Sequence, residues 1–225
     1  MKHLNLILII LILSCCPLHP VYAFLDKDIR LLTMKDGLAD NTIPCIYKDE
    51  DGFMWFGTDN GLSRYDGKTI QNFKPANTYV SIAAIVRLSD DFLGIVSDGY
   101  LYYFNRKQET FFPIHTESDT AIGVFNVLPA DDSSFWGISG NRLILCQWEI
   151  QQGKEEEKTA VRVRIQKTFQ LLEEKGEVFS SLCYHEKAGN GMWLTTNRGN
   201  LILFHPDTPE AYQKIPLTDG KPLPS

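Results

Sequence analysis

The tightest constraint in this chain is a spacing. Trp55 stands six residues before Gly61 and ten after Cys45, and Trp193 stands in the same relation to Gly199 and Cys183. The residues around the two tryptophans follow one pattern. In IPCIYKDEDGFMWFGTDNGLSRYDGKTIQNF an alternating segment meets a charged Asp51-Gly52 turn. An aromatic strand, a polar turn ending in Gly61 and two more short strands follow. VFSSLCYHEKAGNGMWLTTNRGNLILFHPD repeats that order around Trp193. The DG and NG dipeptides fall where a hairpin needs positive φ. Two weaker copies lie between. One places Leu93 at the tryptophan position and keeps Gly99 six residues on, and the other restores Trp136 but shortens the second turn.

Units of ~40 residues, each four short strands joined by tight turns, are the mark of a β-propeller. One such sheet cannot bury both faces alone, so neighbouring sheets stack and the tryptophans fill the space between them. The fold class expected is therefore all-β: a propeller of four four-stranded antiparallel blades, near 43–73, 80–114, 123–169 and 178–217. The third blade carries a charged insertion at 150–160. The apolar alternation on either side of it reads as an extended hairpin with a solvated tip. Residues 29–42 (IRLLTMKDGLADNT) and 212–225 (YQKIPLTDGKPLPS) both read as an apolar strand followed by a DG turn. The first is expected to act as an outer strand completing the last blade, which would leave no sheet edge open. Four blades are the lower limit for a closed ring, so an incomplete arc of a larger, seven-bladed ring is favoured over a closed four-bladed one.

The N-terminus has another purpose. Lys2 and His3 precede the apolar run Leu4–Leu13, and Val21-Tyr22-Ala23 offers a small-residue cleavage site, so residues 1–23 read as a secretory signal peptide. Acylation at Cys15 is the alternative. Residues 24–225 then form the exported propeller, and the expected location is the periplasm. Cys45, Cys146 and Cys183 show no metal-like spacing, and the equal offsets place Cys45 and Cys183 at the same inner-strand position. They read as small buried hydrophobes with free thiols. The formal net charge of −6, with no basic run, argues against nucleic acid as a partner.

One stretch, LTMKDGLADNTIPCIYKDEDGFMWFGTDNGLSRYDGKTIQNF, resembles the two-component regulator propeller of hybrid two-component sensor histidine kinases. The matching residues are Asp36-Gly37-Leu38, Asn41, Asp49, Asp51-Gly52, Trp55, Gly57-Thr58, Gly61-Leu62 and Tyr65-Asp66-Gly67. The resemblance implies the periplasmic, ligand-sensing part of a signal-transduction protein, commonly responsive to oligosaccharides. It also implies partners: the remaining blades and sensor modules of a longer, inner-membrane-anchored chain, and a homodimer of that chain. No phosphoacceptor box, ATP lid, receiver aspartate or helix-turn-helix pattern occurs in these 225 residues, so no kinase activity is expected of them.

Catalytic, cofactor and metal sites are not expected. Asp49-Glu50-Asp51-Gly52 lacks the ligand spacing of a calcium loop, since the twelfth position counted from Asp49 is Asn60. It reads as a hairpin turn. His115, His185 and His205 show no zinc spacing, and no GxSxG or Walker loop occurs. The second turn of each unit places Asp59, Asp98, Asn141, Asn197 and Arg198 on one face. They form a candidate ring of hydroxyl-binding groups, although turn chemistry alone accounts for Asp and Asn there. A stand-alone glycan-binding propeller and a propeller glycosidase or lyase remain the alternatives, the last with a carboxylate pair drawn from distant blades.

Overall fold

The computed structural model describes residues 29–74, 80–117, 120–151, 160–184 and 191–217. The expected signal peptide with Cys15, the tip of the 150–160 insertion, His185 and the Asp219-Gly220 turn lie outside them. Two compact units divide the chain, Met1–Leu32 and Thr33–Ser225. The described part of the first, residues 29–32, has no helix or strand.

Among the described residues of the second unit the strands form four sheets, antiparallel except for one short added edge strand. Blade 1 is β1 (Cys45–Lys48), β2 (Met54–Thr58), β3 (Gly61–Tyr65) and β4 (Ile70–Phe73). Blade 2 is β5 (Ile82–Arg87), β6 (Phe92–Ser97), β7 (Tyr100–Asn105) and β8 (Thr110–Pro113). A short strand, β9 (His115–Thr116), leads into blade 3, which is β10 (Val127–Pro129), β11 (Ser134–Ser139), β12 (Arg142–Gln151) and β13 (Ala160–Gln170). Blade 4 is β14 (Phe179–Tyr184), β15 (Met192–Thr196), β16 (Asn200–Phe204) and β17 (Gln213–Pro216).

Three apolar cores join the four blades, one at each junction, as an open arc of stacked sheets requires. Trp55, Leu62 and Phe73 of blade 1 meet Ile82, Leu93, Ile95 and Phe104 of blade 2. Blade 2 turns Val86, Phe92, Leu101 and Tyr103 towards Val127, Phe135, Ile144 and Trp148 of blade 3. Blade 3 then sets Trp136, Ile138 and Leu143 against Leu182, Met192, Leu194, Ile202 and Phe204 of blade 4.

This packing corrects the alignment of the second unit. Leu93 faces back to blade 1, so it does not take the place of Trp55, which faces forward. Phe92 takes it, two residues before Gly94 as Trp55 is two before Gly57. Each of these glycines lies where a Cβ would collide with its neighbours: Ile82 Cγ2 at 2.7 Å from Gly57, Val86 Cγ2 at 2.8 Å from Gly94. A bare backbone there lets the adjoining side chains close the space.

The cysteine equivalence also fails. Cys45 pairs with Gly57, whereas Cys183 pairs with Trp193 itself. The two offsets of ten conceal different hairpins: Lys48 pairs with Met54, but Tyr184 pairs with Met192, so the fourth blade's first turn is two residues longer. Cys45 is half-buried, donating its thiol to Ile82 O at 3.6 Å, and Cys183 is exposed. All three described cysteines are free thiols.

The lead-in departs from expectation as well. No strand forms over 29–42. Thr33 caps a 3-10 turn at Met34–Asp36, with the Asp36 carboxylate accepting from both Thr33 N and Thr33 Oγ1 at 2.9 Å. That capping box bends the chain before it can extend. The next residues lie on blade 1: Ala39 N donates to Ser63 Oγ and Asn72 Nδ2 donates to Gly37 O. The extended hairpin of blade 3 does form, with β12 and β13 paired from Arg142–Gln170 to Gln151–Ala160. Its outer edge is covered at Arg162 and Val163 by the two-residue β9, added in parallel, which makes this sheet five-stranded. That part of the edge is protected.

Candidate functional site

The acidic turn between β1 and β2 is densely bonded. Gly52, at φ +88°, closes the turn, and Asp49 organises it. Its Oδ1 accepts from Phe53 N at 2.8 Å, and its Oδ2 accepts from the Trp55 indole Nε1 at 2.7 Å. Arg106 reaches across from blade 2 and donates to Asp49 Oδ2 at 3.0 Å, Asp51 Oδ2 at 2.6 Å and Asp90 O at 2.7 Å. Its guanidinium carbon also lies 6.0 Å from the centre of the Trp55 ring, within range of a cation–π attraction. Asp49 is therefore a blade-to-blade staple, and the cluster is a turn, as its sequence predicts. Among the described residues no group of three or more His, Cys, Asp or Glu could hold a metal ion.

The staple residues help to line a cleft of about 240 Å³ between blades 1 and 2, together with Tyr47, Glu50, Arg87, Asp90 and Leu93. Arg87 bonds Asp90 at 2.7 Å and lies 3.5 Å from Glu50; those contacts hold its pKa above the ordinary value. Burial pushes the Tyr47 phenol up, with Arg87 pulling the other way. The charges of the cleft are thus largely paired with one another.

The five residues proposed from sequence lie at the other end of the strands, where each blade's second turn meets a loop leading into a blade. Backbone bonds knit this rim together: Val124 N donates to Gly99 O, Phe125 N to Ile138 O, and Phe179 N to Gly140 O. The candidates divide into two groups. Asp59 accepts from Ser81 Oγ at 2.8 Å and ties blade 1 to the start of blade 2. Asn197 accepts from Val178 N at 3.0 Å and donates to Gly176 O at 3.2 Å, holding blade 4's own lead-in. Arg198 donates to Glu174 Oε2 at 2.7 Å and Lys175 O at 2.8 Å. These three side chains are committed to the scaffold. Asp98 is exposed in a turn where it and Gly99 both have positive φ, 49° and 79°. Asn141 is half-buried in the β11–β12 turn. No side-chain bond to another described residue engages either of these two.

Two features are not foreseeable from the sequence. Glu177, 1% exposed, accepts from Thr196 Oγ1 (2.9 Å), Asn200 Nδ2 (2.6 Å) and Lys214 Nζ (2.9 Å). Burial works to raise its pKa, but those bonds outweigh it and hold the carboxyl below its usual value. Its position in a charged run, LLEEKGEVF, resembles a solvated loop and gives no warning of burial. Phe125 stands in an apolar segment, yet its ring is 63% exposed. What distinguishes the two is whether another part of the chain covers them, and a single sequence does not contain that.

Comparison with known proteins agrees with this architecture. The family model of the two-component regulator propeller matches residues 37–60, the lead-in and first hairpin of blade 1. No curated protein matches the chain in sequence. Among solved structures, the extracellular domain of a protein designated a hybrid two-component system from B. thetaiotaomicron is similar. It has a TM-score of 0.56 and 20% identity over 80% of this chain and 22% of its own. A second extracellular domain from the same organism, designated a one-component system, gives 0.52 and 14% over 84% of this chain and 33% of its own. The chain thus spans about a fifth to a third of the length of these structures. Residues 37–60 thus match the two-component regulator propeller repeat, and the blades around them share the propeller fold of those extracellular domains.

Proposed function

We propose that this chain is the ligand-sensing part of a two-component signalling protein, exported to the periplasm, and that its ligands are oligosaccharides. The observation that carries the reading is the regulator propeller repeat at 37–60. The open arc supports it: three cores join four blades, and blade 4 presents Ile215 at 40% exposure on the face that a further blade would cover. Signalling then belongs to modules outside these residues, with the remaining blades and a second copy of the sensor as partners. The chain itself binds and does not catalyse. The bonded carboxylates Asp49 and Glu177 are committed to packing, which favours recognition over acid–base chemistry.

The test has two arms. Calorimetric titration of the chain with β-glucan, xylan, mannan and pectin oligosaccharides should identify at least one that binds. Deletion of the gene in its host should then abolish the transcriptional response to that same sugar. Binding without any loss of response would refute the sensor assignment, and release of shortened products from the panel would replace it with an enzyme.

A further inference from the structure

The rim between blades 2 and 3 combines features that packing alone does not require. Phe125 is 63% exposed and Tyr100, across the Asp98-Gly99 turn, is 50% exposed. The backbone that carries Phe125 is nonetheless held firmly. Phe125 N donates to Ile138 O at 3.0 Å, and the neighbouring Val124 N donates to Gly99 O at 2.7 Å. Tyr100 and Gly123 form an antiparallel bridge beside it. Phe125 Cε1 lies 3.0 Å from the point a Cβ on Gly99 would occupy, so the ring rests against backbone that only glycine leaves bare. A large apolar side chain whose ring edge packs on Gly99 and whose backbone is bonded to a neighbouring strand, yet which stays exposed, is a preorganised surface.

The polar groups beside it make the surface more specific. Of the five rim candidates, Asp59, Asn197 and Arg198 are bonded into the scaffold. The two whose side chains remain available among the described residues, Asp98 and Asn141, belong to the second turns of blades 2 and 3. Backbone bonds tie the loop that carries Phe125 to the first of these turns, at Gly99–Val124, and to β11 just ahead of the second, at Phe125–Ile138. A carboxylate accepts two hydroxyl donors, and a carboxamide both donates and accepts. Aromatic side chains with a small number of polar groups are the usual composition of a small-ligand site. A pyranose fits this set: its C–H face lies on a ring while its hydroxyls reach the carboxylate and amide. A cationic peptide would require more than one available acid, and the acids of the opposite cleft are already paired with Arg87 and Arg106.

We infer that Phe125, with Asp98 and Asn141, forms a saccharide-stacking site on the blade 2–blade 3 rim. This rests on the oligosaccharide reading above and assigns it a location distinct from the cleft. The experiment is calorimetric titration of the full chain and three variants with the same four classes of oligosaccharide. Phe125→Ala is expected to weaken the Kd of a bound sugar about tenfold or more. Phe125→Trp should restore most of it, and Arg87→Ala in the cleft should leave it unchanged. Melting temperatures and near-UV circular dichroism establish that each variant is folded. If a sugar binds the parent chain and Phe125→Ala alike, the site is wrong while the ligand class stands. The site is equally overturned if Arg87→Ala alone abolishes binding. If no sugar binds the parent, the ligand class and the site fall together.

Discussion

Removing the carboxylate of Asp49 tests the claim that the acidic turn is a staple and not a ligand loop. Asp49→Ala deletes three bonds at once: the acceptor of Phe53 N, the acceptor of the Trp55 indole, and one arm of the ion pair with Arg106. Trp55 is fully buried, so its Nε1–H is left without an acceptor, at about 1–3 kcal/mol. Breaking a buried ion pair from one side costs about 3–5 kcal/mol where the surviving charge is stranded. Here it is not stranded, because Arg106 keeps Asp51 and the Asp90 carbonyl and retains some solvent contact. The electrostatic part therefore falls below that range, to about 1 kcal/mol, and with the orphaned indole a total of about 2–4 kcal/mol is expected. Asp49→Asn keeps one oxygen acceptor but turns its NH2 towards the donor that the other oxygen served, so it loses the charge and one acceptor, and about 1–3 kcal/mol should be lost. Urea unfolding followed by tryptophan fluorescence gives both values from the midpoint shift at constant slope. Should Asp49→Ala move the midpoint by less than about 0.5 kcal/mol equivalent, the staple is refuted. A stability change that appeared only on adding calcium would likewise restore the metal loop.

Other perturbations probe the remaining assignments. Trp55→Ala removes a fully buried ring packed edge-on to Phe104 at 5.7 Å and should cost about 3–5 kcal/mol by the same unfolding assay, with a loss under about 1 kcal/mol contradicting it. The Glu177 carboxyl is depressed below 4.5, so its stabilisation is complete above that pH and fades as pH falls through the folded value. Lys214, bonded to it, is raised above 10.5, so its contribution is complete below that pH and fades as pH rises through the folded value. Glu177→Gln should accordingly flatten the acid limb of the stability curve, and an unchanged limb would show that Glu177 contributes nothing to it. Burial pushes the thiols of Cys45 to about 11 and Cys146 to about 12, whereas Cys183 is exposed. Iodoacetamide at neutral pH should modify Cys183 first in the folded chain, as read by peptide mass mapping, and early labelling of Cys146 would contradict the fold. The Asp66 carboxylate, accepting from Thr69 and Lys68, should stay ionised down to about 2 in an NMR titration, and a midpoint near the ordinary value of 3.8 would show that turn to be open.

What the sequence revealed and what it hid separate along physical lines. Blade rhythm was legible because it is written in local chemistry: glycines at positive φ in the turns, alternation in the strands, a tryptophan at fixed offset. Facing was not legible in β6, where all six residues of FLGIVS are buried and alternation carries no information about which side Phe92 or Leu93 takes. Register was lost in blade 4 because a turn longer by two residues preserved the offset of Cys183 from Trp193 while sliding its partner. Long-range partners were invisible altogether. Arg106 lies 57 residues from Asp49, and no spacing rule connects them.

The same distinction decides the rim. Turn propensity places Asp or Asn in the second turn of each blade whether or not the side chain later binds anything. Its availability depends on a loop from elsewhere in the chain. Ser81 reaches Asp59, and the 174–178 lead-in reaches Asn197 and Arg198, so those polar groups are consumed. The loop between blades 2 and 3 follows a different path. It leaves β8, adds β9 to the outer edge of β13, and only then turns inward through Gly123 and Val124. That detour brings Phe125 to the rim in place of a serine or a lead-in amide, leaving Asp98 and Asn141 without a partner among the described residues. Shortening the detour so that a polar residue replaced Phe125 should bond these turns into the scaffold as in blades 1 and 4, removing the aromatic surface and its available acceptors together.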